Sequence, residues 1–246
     1  MPIKSLELRV DMNRILLIMT MVLIGATEGA KAQSVAPQAH YTDKEGMAIE
    51  TTSIEDGEAP LAVHFEANPQ DMGTWTPSFE WHFRHKAIND KSKNYTEKFV
   101  RYEENTDYTF MESGSYEVVL KTIISDGTNT DQLDSMTISV VIAESKLEFP
   151  NAFSPNGDGI NDIYRAKRDY KSIVSFKAIV MNRWGQKLYE WTNPEDGWDG
   201  TFHGQDVKQG VYFVFVEAKG ADGKEYKIKK DINLLRGYTE KSNTTN

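Results

Sequence analysis

The stretch that decides the fold is GVYFVFVEAKGADGKEYKIKKDINLL, residues Gly210–Leu235. It predicts two strands joined by a tight turn at Ala221-Asp222-Gly223, because an Asp-Gly pair between two such runs is a strong hairpin signal. Upstream, IVSFKAIVMNRWG (Ile173–Gly185) predicts another strand that ends in a turn. No segment keeps a 3.6-residue apolar period, so we expect almost no helix. The second half of the chain is therefore predicted to be all-β.

The first half shows a two-residue apolar period as well. Leu61, Val63 and Phe65 alternate with Ala62 and His64. Similar runs occur at 116–120 and 138–142, with turn signals at 55–60, 112–115 and 125–129. Short strands at such spacing predict a β-sandwich. The chain is therefore predicted to be all-β, with two tandem immunoglobulin-like β-sandwich domains at 47–145 and 146–237. A short segment, 33–46, would precede them and a polar tail, 238–246, would follow.

The N-terminus has the pattern of a secretory signal peptide at residues 1–32. Arg14 precedes the apolar run Ile15–Ile24, and small residues follow at Ala30 and Ala32. This pattern predicts cleavage between Ala32 and Gln33, and the apolar run is too short for a membrane span. The alternative is a short anchor that stays uncleaved. The predicted destination is the cell exterior or the cell surface, reached through the periplasm.

Composition narrows the class of protein further. The chain has 246 residues, a net charge of -9 and no cysteine. A nucleic-acid-binding protein would need a basic face, so no nucleic-acid partner is expected. Without cysteine a secreted protein has no disulfide bonds, and its stability must come from packing alone.

Three segments of the first half resemble PKD-type modules of extracellular bacterial proteins: Gly57–Ala67, Phe79–Phe83 and Phe110–Ile123. The resemblance implies an adhesive or spacer module whose core features are Pro60, Trp81, Gly114 and Tyr116. The chain departs from the family after the tryptophan, where WHFRHK replaces the usual Asp-Phe-Gly-Asp-Gly. His82 and His85 follow there and could suggest a metal site. Side chains three apart on a strand face opposite sides of the sheet, and no third ligand is nearby, so we interpret both as surface histidines instead.

The second half contains five motifs in succession: FPNAFSPNGDGIND (Phe149–Asp162), VMNRWGQKLYE (Val180–Glu190), GWDGTFHG (Gly197–Gly204), QGVYFVFVEA (Gln209–Ala218) and INLLRG (Ile232–Gly237). Together they closely resemble the gliding-motility-associated C-terminal domain of Bacteroidetes, the type B sorting domain of the type IX secretion system. The resemblance implies a seven-stranded sandwich that directs passage through the outer membrane. It also implies two partners, the outer-membrane translocon and a partner outer-membrane protein. The residues that carry the resemblance are Pro150, Asn151, Phe153, Pro155, Asn156, Gly157, Asp158, Gly159, Asn161, Asp162, Arg183, Trp184, Gly185, Trp198, Asp199, Gly200, Gly210, Tyr212 and Arg236.

The loop in the first of these motifs has two interpretations. Asn156, Asp158 and Asp162 could gather oxygen ligands around Ca²⁺, since the neighbouring glycines let the chain wrap tightly. Alternatively, Asn156 and Asp158 form Asx turns with their own backbone. We favour the structural turn, because a full calcium shell needs six or more oxygens. No other cofactor is predicted.

The tryptophans and arginines of the motifs have structural interpretations as well. We expect the rings of Trp184 and Trp198 to fill the core, with Gly185 and Gly200 in the turns that follow. Arg183 and Arg236 would either pair with neighbouring acids or form the face that the secretion machinery recognises.

No catalytic signature is present in the sequence. There is no Gly-x-Ser-x-Gly elbow, no cysteine and no His-Glu-x-x-His motif. Once the two sandwiches are subtracted, little chain is left for an enzyme, so a non-enzymatic protein is predicted. One alternative is a carbohydrate-binding module in which Trp75, Tyr95 and Tyr102 stack on sugar rings; the ligand of the first domain would then be a glycan rather than a protein. Another is a structural subunit of a surface or motility apparatus.

Overall fold

The structure, a computed structural model, describes residues 32–237, which form two β-sandwiches in tandem. No helix occurs in this part of the chain, and the predicted all-β fold class is confirmed. The predicted signal peptide and the polar tail lie outside the described residues, apart from Ala32.

Between Ser34 and Ile142 the chain forms the strands of the first sandwich: β1 (Ser34–Val35), β2 (Gln38–Thr42), β3 (Ala48–Thr51), β4 (Ser53–Gly57), β5 (Leu61–Glu66), β6 (Pro69–Gln70), β7 (Thr76–Ala87), β8 (Thr96–Arg101), β9 (Asn105–Phe110), β10 (Gly114–Ser125), β11 (Thr130–Gln132) and β12 (Met136–Ile142). One sheet has the order β4-β12-β10-β7-β8, with β11 added to β10. The facing sheet has the order β3-β2-β5-β9, and β1 pairs with β6.

The first core lies between these two sheets. Leu61, Val63 and Phe65 are buried on β5, as their alternation predicted, and Trp81 is fully buried on β7. The indole N–H of Trp81 donates to the Glu103 carbonyl at 3.1 Å. Pro60 is exposed, after a cis peptide bond, and is therefore not part of the core that the PKD resemblance implied.

Two features of the first sandwich differ from the sequence-based expectations. Residues 33–46 do not merely precede the sandwich, because β2 pairs with both β3 and β5 in its four-stranded sheet. The prediction that His82 and His85 lie on the surface is wrong. The His82 side chain is only 11% exposed and lies between Glu80 and Glu97. His85 is buried more completely. Its side chain is buried on β7 and stacks on Tyr116 with 4.3 Å between ring centroids, because it shares the inward face of the strand with Trp81 and Phe83.

The second sandwich consists of β13 (Ala152–Phe153), β14 (Ile173–Met181), β15 (Lys187–Trp191), β16 (Thr201–Phe202), β17 (Gln205–Asp206), β18 (Gly210–Gly220) and β19 (Glu225–Leu234). Its main sheet has the order β13-β19-β18-β14-β15. The opposite layer is less regular: it contains the β16–β17 hairpin and isolated bridges at Tyr164–Trp198 and Lys146–Lys171. The predicted hairpin is β18–β19, in continuous register from Gly210–Leu234 to Lys219–Glu225.

The long central strands of the two sandwiches share a local feature. Each starts with glycine, Gly114 on β10 and Gly210 on β18, and carries tyrosine two residues later. The Tyr116 hydroxyl donates to the Glu112 carbonyl at 2.9 Å, and the Tyr212 hydroxyl donates to the Lys208 carbonyl at 2.6 Å. A tyrosine that bonds back to the chain in this way is typical of immunoglobulin-like sandwiches. The sequence halves share no overall repeat, but they share this anchor.

The two sandwiches meet at the β18–β19 turn, and the described residues from Gln33 onward belong to one compact unit. The carboxylate of Asp222 accepts hydrogen bonds from the Ser145 backbone N–H (3.0 Å) and from the Ser145 hydroxyl (2.8 Å). Burial works to raise the pKa of Asp222, but the N–H of Lys224 and the two donors of Ser145 lower it on balance. The neighbouring Ala221 accepts from Ser113 N–H at 3.0 Å and packs into the first core.

The chain that connects the sandwiches is held on both sides of Ser145. Ala143 N–H donates to the Gly57 carbonyl, and Lys146 exchanges two backbone hydrogen bonds with Lys171. Gly220 permits this close approach, since a Cβ at that position would lie 2.1 Å from Ser145 Oγ. The connection is therefore a packed strand-like segment rather than an open linker.

This junction yields a first prediction. Asp222→Ala leaves the Ser145 backbone N–H without its acceptor and the Ser145 hydroxyl with the Tyr226 hydroxyl alone (2.9 Å). The free energy of unfolding should therefore fall by about 1–3 kcal/mol. Trypsin should then cut after Lys146 much faster than in the wild type, in which that backbone is bridged to Lys171.

Glu225→Ala is the matched control, because Glu225 lies on the same hairpin and pairs only with exposed Lys227 at 3.1 Å. Denaturant unfolding and timed tryptic digestion with mass spectrometry measure both effects. Rapid cutting after Lys146 in the folded wild type would show that the connection is an open linker.

Candidate functional site

Strand direction places the five motifs at one end of the second sandwich. β14 and β19 both run away from the first sandwich, β13 is parallel to β19, and β18 starts where they end. The segments after β13, β14 and β19 and the start of β18 therefore lie together. At 3.3 Å per residue this end is roughly 33 Å from the β18–β19 turn. We call it the distal end: residues 153–163, 182–186, 198–200, 209–211 and 235–237.

Arg236 binds three loops of the distal end through one guanidinium group. Its Nη2 donates to the Gly200 carbonyl (2.7 Å), its Nη1 to the Pro155 carbonyl (3.2 Å) and its Nε to the Val207 carbonyl (3.1 Å). Nη2 also lies 3.1 Å from a carboxylate oxygen of Asp206. The side chain is only 24% exposed. Of the two interpretations of Arg236, the geometry supports the structural one.

Gly200 is where this cluster is most tightly packed. Its φ is +80°, and a Cβ there would lie 3.0 Å from Pro155 and 3.1 Å from Leu234. Asp199 turns the chain towards Thr201 by accepting from its N–H (2.9 Å) and its hydroxyl (2.8 Å). Three motif positions that are far apart in the sequence, Pro155, Gly200 and Arg236, thus meet in space.

Trp198 fills the second core, as predicted. Its ring is fully buried, and its indole N–H donates to the Thr201 carbonyl at 2.7 Å. It contacts Phe153 at 5.5 Å and Tyr212 at 5.1 Å between ring centroids. In a chain without disulfide bonds, this aromatic cluster supplies much of the apolar burial of the domain.

The prediction that Trp184 also fills the core is wrong, because its side chain is 76% exposed. Trp184 lies in the turn between β14 and β15, beyond the last paired residues, so its ring projects from the sheet end. The Arg183 guanidinium stacks over that ring, 4.3 Å from its centroid. Among the described residues Arg183 makes no ion pair. Gly185 takes the predicted turn conformation, with φ +80°.

The loop at 154–162 is organised by Asp162. One of its carboxylate oxygens accepts from the N–H groups of Asn156 (2.9 Å) and Gly157 (2.8 Å), and the other accepts from Gly159 N–H (2.8 Å). These bonds, above all those from Gly157 and Gly159, lower the pKa of Asp162. Asp158 accepts from Ile160 N–H and from the Asn156 amide. Within 32–237, no group of three or more His, Cys, Asp or Glu side chains is arranged to hold a metal ion.

The remaining motif residues have backbone and packing roles. The Pro150 carbonyl accepts from the Tyr164 hydroxyl (3.2 Å), and the Asn151 carbonyl accepts from Asn233 N–H (3.0 Å). The Asn161 carbonyl accepts from Ser154 N–H at 2.9 Å and closes the loop. Gly157 and Gly159 have φ near +80°.

Sequence reasoning missed three residues of this region. Tyr164 is fully buried, exchanges backbone hydrogen bonds with Trp198 and packs on Phe153. Asp206 pairs with Arg236, and Val211 is 50% exposed. Tyr164 had a signal, an aromatic directly after the polar loop. The pairing of Asp206 had none, because it depends on how three loops meet.

The aromatic residues of the carbohydrate-binding alternative are spread over the first sandwich. Tyr95 and Tyr102 lie at opposite ends of β8, roughly 23 Å apart along the strand. Trp75 is half-buried and lies just before β7, six residues from Trp81. Trp81 pairs with Arg101, the neighbour of Tyr102, so Trp75 lies well away from Tyr102 along the sheet. The three rings do not form one flat platform.

The fold and the distal end define a class, tandem β-sandwich proteins whose second domain is organised around this motif cluster. Residues 147–232 match the family model described as CHU_C, type IX secretion signal domain. This part of the chain is a type IX secretion signal domain, which confirms the predicted sorting domain. The chain is therefore a protein that interacts with the type IX machinery and is secreted or displayed at the cell surface.

Comparisons with curated proteins and with solved structures do not extend this identification. No curated protein matches the chain significantly. One similar solved structure is a tetra-tandem repeat in the extending region of a large adhesion protein. It is 12% identical, covers 83% of this chain and 68% of its own, and has a TM-score of 0.24, too low to support an argument. No helix among the described residues is long and apolar enough to cross a membrane.

A second prediction concerns the Arg236 cluster. Arg236→Lys keeps the charge but cannot reach three carbonyls at once, so the free energy of unfolding should fall by about 2–4 kcal/mol. Arg183→Lys is the control and should change it by less than about 0.5 kcal/mol, because Arg183 is a surface residue that forms no ion pair within the described part of the chain. Denaturant titration of both variants measures the difference. Equal stability of the two variants would show that Arg236 does not stabilise the domain.

A third prediction uses the lowered pKa of Asp162. Because the folded pKa lies below the unfolded value, near 3.9, the carboxylate stabilises the fold above that value and loses this effect as the pH falls through the folded pKa. Asp162→Ala should therefore be less stable than wild type at pH 7, and the two stabilities should converge in acid.

The same variant separates the two interpretations of the loop. With the turn interpretation, millimolar Ca²⁺ leaves the unfolding temperature of the wild type unchanged. A rise that depends on calcium and is lost in Asp162→Ala would support the calcium site instead.

Proposed function

We propose that this chain is a non-enzymatic protein of the cell surface, with a PKD-like first sandwich as an adhesive or spacer module and the second sandwich as its export signal. The match of residues 147–232 to a type IX secretion signal domain carries the proposal. The partners would be the outer-membrane translocon and a partner outer-membrane protein. The predicted signal peptide would bring the chain to the periplasm first.

The structure of the first sandwich supports the module proposed for it. Trp81 and Tyr116 lie in its core, and β10 begins at Gly114 in the middle of the larger sheet. These are the positions that the PKD resemblance gives to the three residues. The sandwich also docks on the second one through the Asp222–Ser145 contact, which suits a spacer that holds its neighbour at a fixed orientation.

The distribution of charge also supports different roles for the two sandwiches, a module in the first and an export signal in the second. Residues 33–145 contain 8 basic and 20 acidic residues, a net charge of -12. Residues 146–237 contain 15 basic and 13 acidic residues, a net charge of +2. The strongly acidic first sandwich favours solubility outside the cell. The nearly neutral second sandwich does not repel a protein partner of either charge in this way.

The fourth prediction tests export directly. The full chain is expressed in a host with a working type IX system and in the same host without the outer-membrane translocon. Protease treatment of intact cells and of the medium, followed by mass spectrometry, measures the external fraction. We expect the protein outside only when the translocon is present. Retention in the periplasm of both strains would overturn the proposal, and the mass of the external protein shows whether the second sandwich was removed.

A further inference from the structure

We propose that the Arg183–Trp184 pair at the β14–β15 turn is the contact through which a protein of the type IX machinery recognises this chain. The inference rests on the proposed function and deepens it, because it assigns recognition to one place on the second sandwich. The fold has no structural use for this indole: it is 76% exposed, while Trp198 in the same domain is fully buried.

The turn presents the pair rigidly. The side-chain oxygen of Asn182 accepts from Trp184 N–H (3.0 Å) and Gln186 N–H (3.1 Å), and the backbones of Asn182 and Gln186 also pair. The Asn182 amide donates to Gln186 Oε1 at 2.9 Å. A preorganised aromatic side chain loses little conformational entropy when it is buried by a partner.

The positive charge of Arg183 is available for an ion pair with a partner. The nearest acid of the same hairpin, Glu190, already pairs with Lys177 (2.9 Å) and Lys187 (3.0 Å). The Arg183 guanidinium covers one face of the Trp184 ring and orients it. A partner that binds this pair would therefore present an apolar pocket for the indole of Trp184 and a carboxylate at the rim of that pocket for Arg183. Tryptophan and arginine are the residues most often found at the energetic centre of protein interfaces.

The surroundings of the pair favour a protein partner at this place. Val211 is 50% exposed and lies on β18 two residues before Phe213, which pairs with Met181 at the end of β14, so it adds apolar surface at the same end of the sheet as the turn. The first sandwich attaches at the opposite end, so it does not cover the pair. An acidic partner would be repelled by the charge of -12 on residues 33–145 and would meet the distal end, where Arg183 makes no ion pair with any residue of 32–237.

The test uses the full chain in the type IX host, with Trp184→Ala and Arg183→Glu. Both variants should fold, because these side chains are exposed, and the unfolding temperatures of the purified proteins check this. We expect the external fraction to fall at least about tenfold for Trp184→Ala, as for the loss of an interface centre. Arg183→Glu should also reduce it, because the charge at the rim is reversed. Tyr102→Ala is the matched control, since Tyr102 is 70% exposed on the first sandwich, and it should be exported like wild type.

The outcomes separate this inference from the export proposal. If wild type depends on the translocon and folded Trp184→Ala is exported equally well, the recognition role is wrong while the export function stands. If wild type itself is not exported, the proposed function fails first. Association of the purified wild-type chain into dimers that Trp184→Ala abolishes, without any change in export, would assign the pair to a second copy and overturn the inference.

Discussion

The second sandwich depends on one guanidinium group. Arg236 follows β19 and donates to carbonyls in three loops, at Pro155, Gly200 and Val207. Asp162 orders the loop that contains Pro155, and the N–H of Val207 donates to the Gly200 carbonyl, but no disulfide bond joins the three segments. Because all three carbonyls are satisfied by one charged fork, the loops have a single arrangement relative to the sheet. The β14–β15 turn at the same end is held separately, by the hydrogen bonds between Asn182 and Gln186.

The β18–β19 hairpin connects this cluster to the rest of the protein. Its turn holds Asp222 against Ser145 at the first sandwich, and its open end carries Arg236. The hairpin thus spans the domain, with Asp222 bound to Ser145 at one end and Arg236 bound to three loops at the other. The distal end, where we propose recognition to take place, therefore lies at the end of the domain opposite the acidic first sandwich.

The strands of both sandwiches and the β18–β19 hairpin could be predicted from the sequence. Period-two alternation and the Asp-Gly turn predicted the sheets, since both depend on neighbouring residues only. Side-chain placement at the motifs was harder. Trp198 and Trp184 have similar sequence surroundings, yet one is buried and the other exposed, because the second lies beyond the last strand pair. His85 was misplaced because its alternation with Trp81 and Phe83, which puts it on the inward face of β7, was not applied to it.

Most motif residues stabilise the fold of the domain, whereas we propose that the Arg183–Trp184 pair contacts a partner, and one measurement tests this difference. Export can be plotted against the free energy of unfolding for variants at Phe153, Trp198, Gly200, Tyr212, Arg236 and Trp184. We predict that the buried positions follow one curve, along which export falls only as the domain unfolds, and that Trp184 variants lie far below it. Trp184 variants on the common curve, or a stable variant at a buried position that loses export, would contradict the account.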